Sequence, residues 1–91
     1  LIPLEVEVDT LGQLEEALEA GADLVLLDNM DDEMLVQAVA MCRGRARTEA
    51  SGGITIKRIH RVAATGVDFI ALGYLTHSSR SLDIGLDDPV S

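Results

Sequence analysis

Four short runs, at residues 4–8, 24–28, 47–51 and 69–72, read as strands, and the stretches between them carry apolar residues at helical spacing. The element order this predicts is βαβαβαβ. In the first helical stretch Leu11, Leu14, Ala17 and Leu18 form one stripe opposite Glu15, Glu16 and Glu19. Thr10 and Gln13 have the spacing of a capping box, and Gly21 stands where a left-handed residue ends a helix. The second stretch opens at Asp31 or Asp32, passes through Leu35, Ala38, Val39 and Cys42, and stops at Gly44. The third runs from Thr55 through Ile56, Ile59, Val62 and Ala63 to Gly66. An internal echo supports the scheme, since Ala20-Gly21-Ala22-Asp23-Leu24-Val25 returns as Thr65-Gly66-Val67-Asp68-Phe69-Ile70.

Units of this length with short loops suit a parallel sheet with right-handed crossovers, either open and doubly wound or closed into a barrel. The strands favour the barrel. Glu5 and Glu7 share one strand face and Leu4, Val6 and Val8 the other, whereas a sheet covered by helices on both sides is apolar on both. The alternation predicts that Glu5, Glu7 and Glu49 point into a lumen and Val6, Val8 and Ala50 toward helices. An eight-unit barrel takes about 250 residues. The 91 residues therefore read as a parallel βα-barrel segment of the α/β class, four strands and three helices forming part of a larger α/β barrel. Its edge strands and lumen face would pair with further chain or with another copy. Leu1 is not a methionine, which suggests that something upstream is not represented.

Composition narrows the chemistry. Sixteen acids against seven bases give a net charge of −9, a field that repels nucleic acid and anionic membrane surfaces, so an anionic ligand must be held by local groups. No apolar run approaches the roughly 20 residues of a membrane helix, and no signal segment opens the chain; it reads as soluble and cytoplasmic. The single cysteine, Cys42, excludes an internal disulfide and is expected to be a buried helix-packing residue.

Ligands of parallel βα folds bind at the carboxyl ends of the strands. Those ends read Glu7-Val8-Asp9, Asp28-Asn29, Ser51-Gly52-Gly53 and Gly73-Tyr74, with His77 shortly after. Glu7, Asp28 and Glu49 would converge on one mouth, where clustered carboxylates repel one another unless a metal ion, a proton or ligand hydroxyls offset the repulsion. A divalent cation arriving with a phosphate substrate meets that need. The plainer alternatives are an ion pair of Glu7 with Arg47 or with a basic residue outside these 91, and a helix N-cap for Asp28; Glu5, deeper in its strand, is expected in an ion pair. Gly52 and Gly53 sit between a strand and a helix start, where N–H groups and the helix dipole attract phosphate, and Gly73 ends the adjacent strand. The alternative for all three is an ordinary turn glycine. His77 either contacts substrate or is a surface-loop histidine. Arg43, Arg45, Lys57, Arg58 and Arg61 fall on helix ends or outer faces and are expected to be solvated.

The runs Leu4-Glu5-Val6-Glu7-Val8-Asp9, Val25-Leu26-Leu27-Asp28-Asn29-Met30, Glu49-Ala50-Ser51-Gly52-Gly53-Ile54, Gly66-Val67-Asp68-Phe69-Ile70 and Gly73-Tyr74-Leu75-Thr76-His77-Ser78 occur in this order. Together they resemble the quinolinate phosphoribosyltransferases along essentially the whole chain. The resemblance implies that residues 1–91 are the C-terminal part of the α/β barrel domain, with an N-terminal sandwich domain and the early barrel strands lying outside them. It also implies a homo-oligomer, dimer or hexamer, and Mg2+-dependent transfer of a phosphoribosyl group from phosphoribosyl pyrophosphate to quinolinate. Carbon dioxide and pyrophosphate are released, and nicotinate mononucleotide is formed for NAD biosynthesis.

By position, Glu7 and Asp28 match the family's acids that engage the ribose hydroxyls and the metal-bound substrate, directly or through water. Ser51, Gly52, Gly53 and Gly73 match its phosphate-binding residues, and His77, with Glu49 nearby, lines the same mouth. Tyr74 is bulkier than the family pattern, and the basic cluster that holds the quinolinate carboxylates belongs upstream, so the segment alone is expected to be inactive. Other readings are a different phosphate-binding βα-barrel enzyme, a quinolinate-transferase-like paralogue, or a non-catalytic barrel segment serving as an association module.

Overall fold

The computed structural model describes residues 2–72. Four parallel strands, β1 (Glu5–Val8), β2 (Leu24–Asp28), β3 (Arg47–Ser51) and β4 (Phe69–Ile70), lie side by side in chain order. Between them run α1 (Leu11–Glu19), α2 (Asp32–Cys42) and, after a single 3-10 turn at Ile56–Arg58, α3 (Ile59–Ala64). The strand order never reverses, as it must in a doubly wound sheet. α1 packs on β1 and α2, and α2 on β3 and α3.

The two strand faces differ as the alternation predicts. Val8, Val25, Leu27 and Ala50 are buried with Leu14, Leu35 and Val62 in one apolar cluster. On the opposite face Glu5, Glu7, Arg47 and Phe69 are exposed, and Leu24, Leu26 and Glu49 are half-buried. Only one face of the sheet is covered, which is the arrangement of a barrel wall.

Local signals in the sequence account for the helix ends. Thr10 Oγ1 accepts the Gln13 N–H at 3.1 Å, while Gln13 Oε1 reaches back to the N–H of Asp9 rather than of Thr10, at 2.8 Å. At the other end, Gly21 N donates to Leu18 O and Ala22 N to Ala17 O, a Schellman closure around Gly21 at φ +86°. Asp31 caps α2, its Oδ1 accepting from Met34 N at 2.9 Å. Cys42 is buried in the core, and burial pushes its thiol pKa up.

The repeated Gly-x-Asp corner has a structural purpose. Asp23 Oδ2 accepts the Leu4 N–H at 2.7 Å, and Asp68 Oδ2 accepts the Thr48 N–H at 2.8 Å. Each aspartate latches the start of its own strand to the strand before it.

Three boundaries depart from expectation, the first being β1, which opens at Glu5 rather than at Leu4. The third helix was expected from Thr55, yet the backbone forms a 3-10 turn first and becomes α-helical only at Ile59. β4 ends at Ile70 rather than at residue 72, although Ala71 N still donates to Ala50 O at 2.9 Å.

Candidate functional site at the strand ends

Register fixes which side chains share the mouth. Glu7 pairs with Leu26 and Leu26 with Glu49, so the two glutamates lie in one row, two strand spacings or about 10 Å apart. Asp28 stands two residues beyond Leu26 on the same face, level with Ser51 and nearer the carboxyl end. Glu7 and Asp28 line a common cavity of about 220 Å3 with Val8, Asp9 and Gln13. Among the described residues the side chains of Glu7, Asp28 and Glu49 form no ion pair.

Among the described residues, the N-cap for Asp28 and the pairing of Glu7 with Arg47 give way. The N-cap of α2 is Asp31, not Asp28. Arg47 does not pair with Glu7; its guanidinium lies 5.6 Å from the centroid of the Phe69 ring. The ion pair expected for Glu5 is also absent among the described residues: register puts Arg47 in its row but with Leu24 of β2 between them.

The loop after β3 begins with Gly52 and Gly53, at φ +85° and +78°. L side chains rarely adopt this left-handed region, so glycine is demanded at both positions. Neither glycine N–H donates to another backbone group among the described residues. The helix dipole adds less here than the sequence implied, because the turn that follows is 3-10 and α3 has only six residues. Gly73, Tyr74 and His77 lie outside the described residues.

Asn29 and an arginine cluster, which the sequence reading gave no role, complete the rim. Asn29 follows β2 at φ 62°, a conformation that asparagine tolerates better than most residues, and its N–H donates to Ser51 O at 3.0 Å. Arg58 and Arg61, expected to be solvated, converge on Asp32 at 2.7 and 3.0 Å, and Arg58 also donates to the Met30 carbonyl at 3.2 Å. The bond to Arg58, then that to Arg61, holds the Asp32 carboxyl below its usual pKa. The cluster ties the loop after β3 to the loop after β2. Its signal was topological: Asp32 and Arg58 each follow the end of one of two adjacent strands. Arg43, Arg45 and Lys57 are exposed as expected. Among the described residues no group of three or more His, Cys, Asp or Glu is arranged to hold a metal ion by itself.

A singly wound parallel sheet with helices on one face, and with carboxylates and a glycine pair at its strand ends, defines a segment of a βα barrel. Residues 1–87 match the family described as Quinolinate phosphoribosyl transferase, C-terminal domain, and the chain belongs to that family. It is 42% identical to the probable nicotinate-nucleotide pyrophosphorylase [carboxylating] of Bacillus subtilis, over 100% of this chain and 32% of the relative. With the Mycobacterium leprae nicotinate-nucleotide pyrophosphorylase [carboxylating] the identity is 47%, over 94% of this chain and 31% of the relative. The solved nicotinate-nucleotide pyrophosphorylase of Francisella tularensis superposes with a TM-score of 0.78 at 43% identity, covering 87% of this chain and 28% of that one. The chain thus spans about a third of the length of the curated relatives it matches.

Proposed function

We propose that the chain supplies the ribose- and phosphate-binding side of a carboxylating nicotinate-nucleotide pyrophosphorylase. That enzyme transfers the phosphoribosyl group of phosphoribosyl pyrophosphate to quinolinate, with release of pyrophosphate and carbon dioxide. The observation that carries this reading is the meeting of the Asp28 carboxylate, which has no ion pair among the described residues, with the glycine loop at adjacent strand ends, in a chain of this family. Ribose at the transition state has oxocarbenium-like positive charge, and fixed carboxylates stabilise it more than they stabilise the neutral ground state. Glu7 and Asp28 hold the ribose hydroxyls and face that charge, with Glu49 in the same row as Glu7, two strands away. Ser51 and the N–H groups of Gly52 and Gly53 hold phosphate; Gly73 and His77, which lie outside the described residues, are assigned to phosphate and substrate from the sequence pattern of the family.

The donor set at this cavity suits Mg2+: two carboxylates are too few for a protein cage, but Mg2+ usually keeps several waters and takes substrate phosphates as ligands. When bound, it would neutralise charge on the departing pyrophosphate. Glu7 and Asp28 would hold it directly or through water. The bases that reach this rim, Arg58 and Arg61, are committed to Asp32, so the quinolinate carboxylates require cations from outside the described residues. We infer further that the working protein is a homo-oligomer in the cytoplasm. No helix among the described residues is long and apolar enough to cross a membrane.

The test is a chimera in which this chain replaces the matching C-terminal part of the Bacillus subtilis relative. It is expected to form nicotinate mononucleotide in the presence of Mg2+. Glu7→Gln and Asp28→Asn should each lower kcat by about 100-fold or more while leaving the melting temperature nearly unchanged, in the range found for groups aimed at transition-state charge. Near-normal turnover in both variants would refute the roles.

A further inference from the structure

The two glycines after β3 stand in different surroundings. A β-carbon on Gly53 would meet nothing within 4 Å, so only the backbone conformation calls for glycine there. A β-carbon on Gly52 would lie 2.5 Å from Asp28 Oδ1, 2.6 Å from Asn29 N and 3.1 Å from Asn29 Cα. Two of these three atoms are backbone, and that backbone is pinned. Asn29 N donates to Ser51 O at 3.0 Å, and Arg58, itself fixed to Asp32, holds the Met30 carbonyl at 3.2 Å. A side chain at position 52 therefore could not be absorbed by a rotamer change alone. Either the end of β2 moves, or the Asp28 carboxylate swings away from the cavity it shares with Glu7.

We propose that Gly52 is a positioning residue. Its bare α-carbon is the surface against which Asp28 and Asn29 rest, and this contact sets the direction in which the Asp28 carboxylate enters the site. The two glycines thus divide the work: Gly53 offers an open face to the ligand, and Gly52 aims the acid. The proposal rests on the role given to Asp28 above, and it adds that the aim of Asp28 is set across the sheet, by the strand next to its own.

Gly52→Ala and Gly53→Ala both place alanine at positive φ, so they share the conformational penalty and differ in the contact with Asp28. In the chimera, Gly52→Ala is expected to lower kcat by about 100-fold, the loss typical of a misplacement of about 1 Å. Gly53→Ala is expected to act mainly on the KM for phosphoribosyl pyrophosphate, with kcat changed less than about 5-fold, as for a residue that contributes binding rather than aim. In the Asp28→Asn background, Gly52→Ala should cost less than about a further 3-fold, because residues acting as one unit are not additive. Equal kcat losses in the two alanine variants, or a full additional loss in the Asp28→Asn background, would overturn the proposal.

Crystal structures of the chimera give a second readout independent of turnover. The Asp28 carboxylate should shift by about 1 Å or more in Gly52→Ala and stay in place in Gly53→Ala. If Gly52→Ala does not fold, the parent crystals decide, with and without inorganic phosphate: the Gly52 Cα must remain within about 4 Å of the Asp28 carboxylate. A gap wide enough for a methyl group overturns the proposal. A parent chimera that keeps the contact but transfers no phosphoribosyl group would instead refute the proposed function.

Discussion

Replacing Asp68 with alanine removes the latch between β3 and β4, and the neighbouring geometry sets the size of the effect. Asp68 Oδ2 accepts the Thr48 N–H at 2.8 Å and the Thr48 hydroxyl at 3.3 Å, at a residue only 2% exposed. A bond to a charged acceptor is worth roughly 1.5–3 kcal/mol, and orphaning a buried donor costs a similar amount. Thr48 and Asp68 also line a cavity of about 480 Å3, through which water can reach the freed N–H and recover part of the loss. The expected destabilisation for Asp68→Ala is therefore about 1–2 kcal/mol, toward the lower end of that range.

The repeat provides an internal control. Asp23→Ala breaks the equivalent bond, but to Leu4, which is 41% exposed and can be hydrated in the unlatched state, so less than about 0.5 kcal/mol is expected. Urea denaturation of the chain followed by circular dichroism gives both values. Equal effects, or a larger one at Asp23, would refute the claim that the burial of the donor sets the size of the latch.

Two further outcomes are expected. The Asp32 carboxyl, followed by NMR, should titrate below its ordinary value of 3.8, because both arginines favour its charged form. A depressed folded pKa means that the α2–α3 tie is intact above the unfolded value and is lost as pH falls through the folded one; a midpoint at or above 3.8 would contradict the ion-pair geometry. The 91-residue chain alone, mixed with quinolinate, phosphoribosyl pyrophosphate and Mg2+, should form no nicotinate mononucleotide, since a dianionic acceptor needs cations that the described residues of the mouth do not supply. Sustained turnover would place the acceptor site within these residues.

Periodicity was enough to read the strands, the helices and the covered face, because burial on one side writes itself into spacing: Val8 and Ala50 lie toward the helices, Glu7 and Glu49 away from them. Caps were nearly as legible, since Thr10 and Asp31 act within three residues of themselves. Interactions that join separate elements were not. The echo around Asp23 and Asp68 was visible, but the partners Leu4 and Thr48 stand 19 and 20 residues earlier on the preceding strand. Arg58 lies 26 residues from Asp32, and helical spacing alone assigned it to solvent. Glycine at position 52 looked like a ligand residue because strand-end glycines often are. Its contact with Asp28 depends on how two neighbouring strands end side by side, which no spacing within one strand reveals.

The strand order β1-β2-β3-β4 also bears on how the chain acquires its structure. Every strand pairs with the one just made, and the latches at Asp23 and Asp68 each close a loop of about 20 residues. Closing short loops loses little chain entropy, and contacts local in sequence form fast. The pairing of β1 with β2 uses no residue of β4, so it can form before β4 is made. The growing end always presents an open strand edge, which is where misassociation between nascent chains would begin.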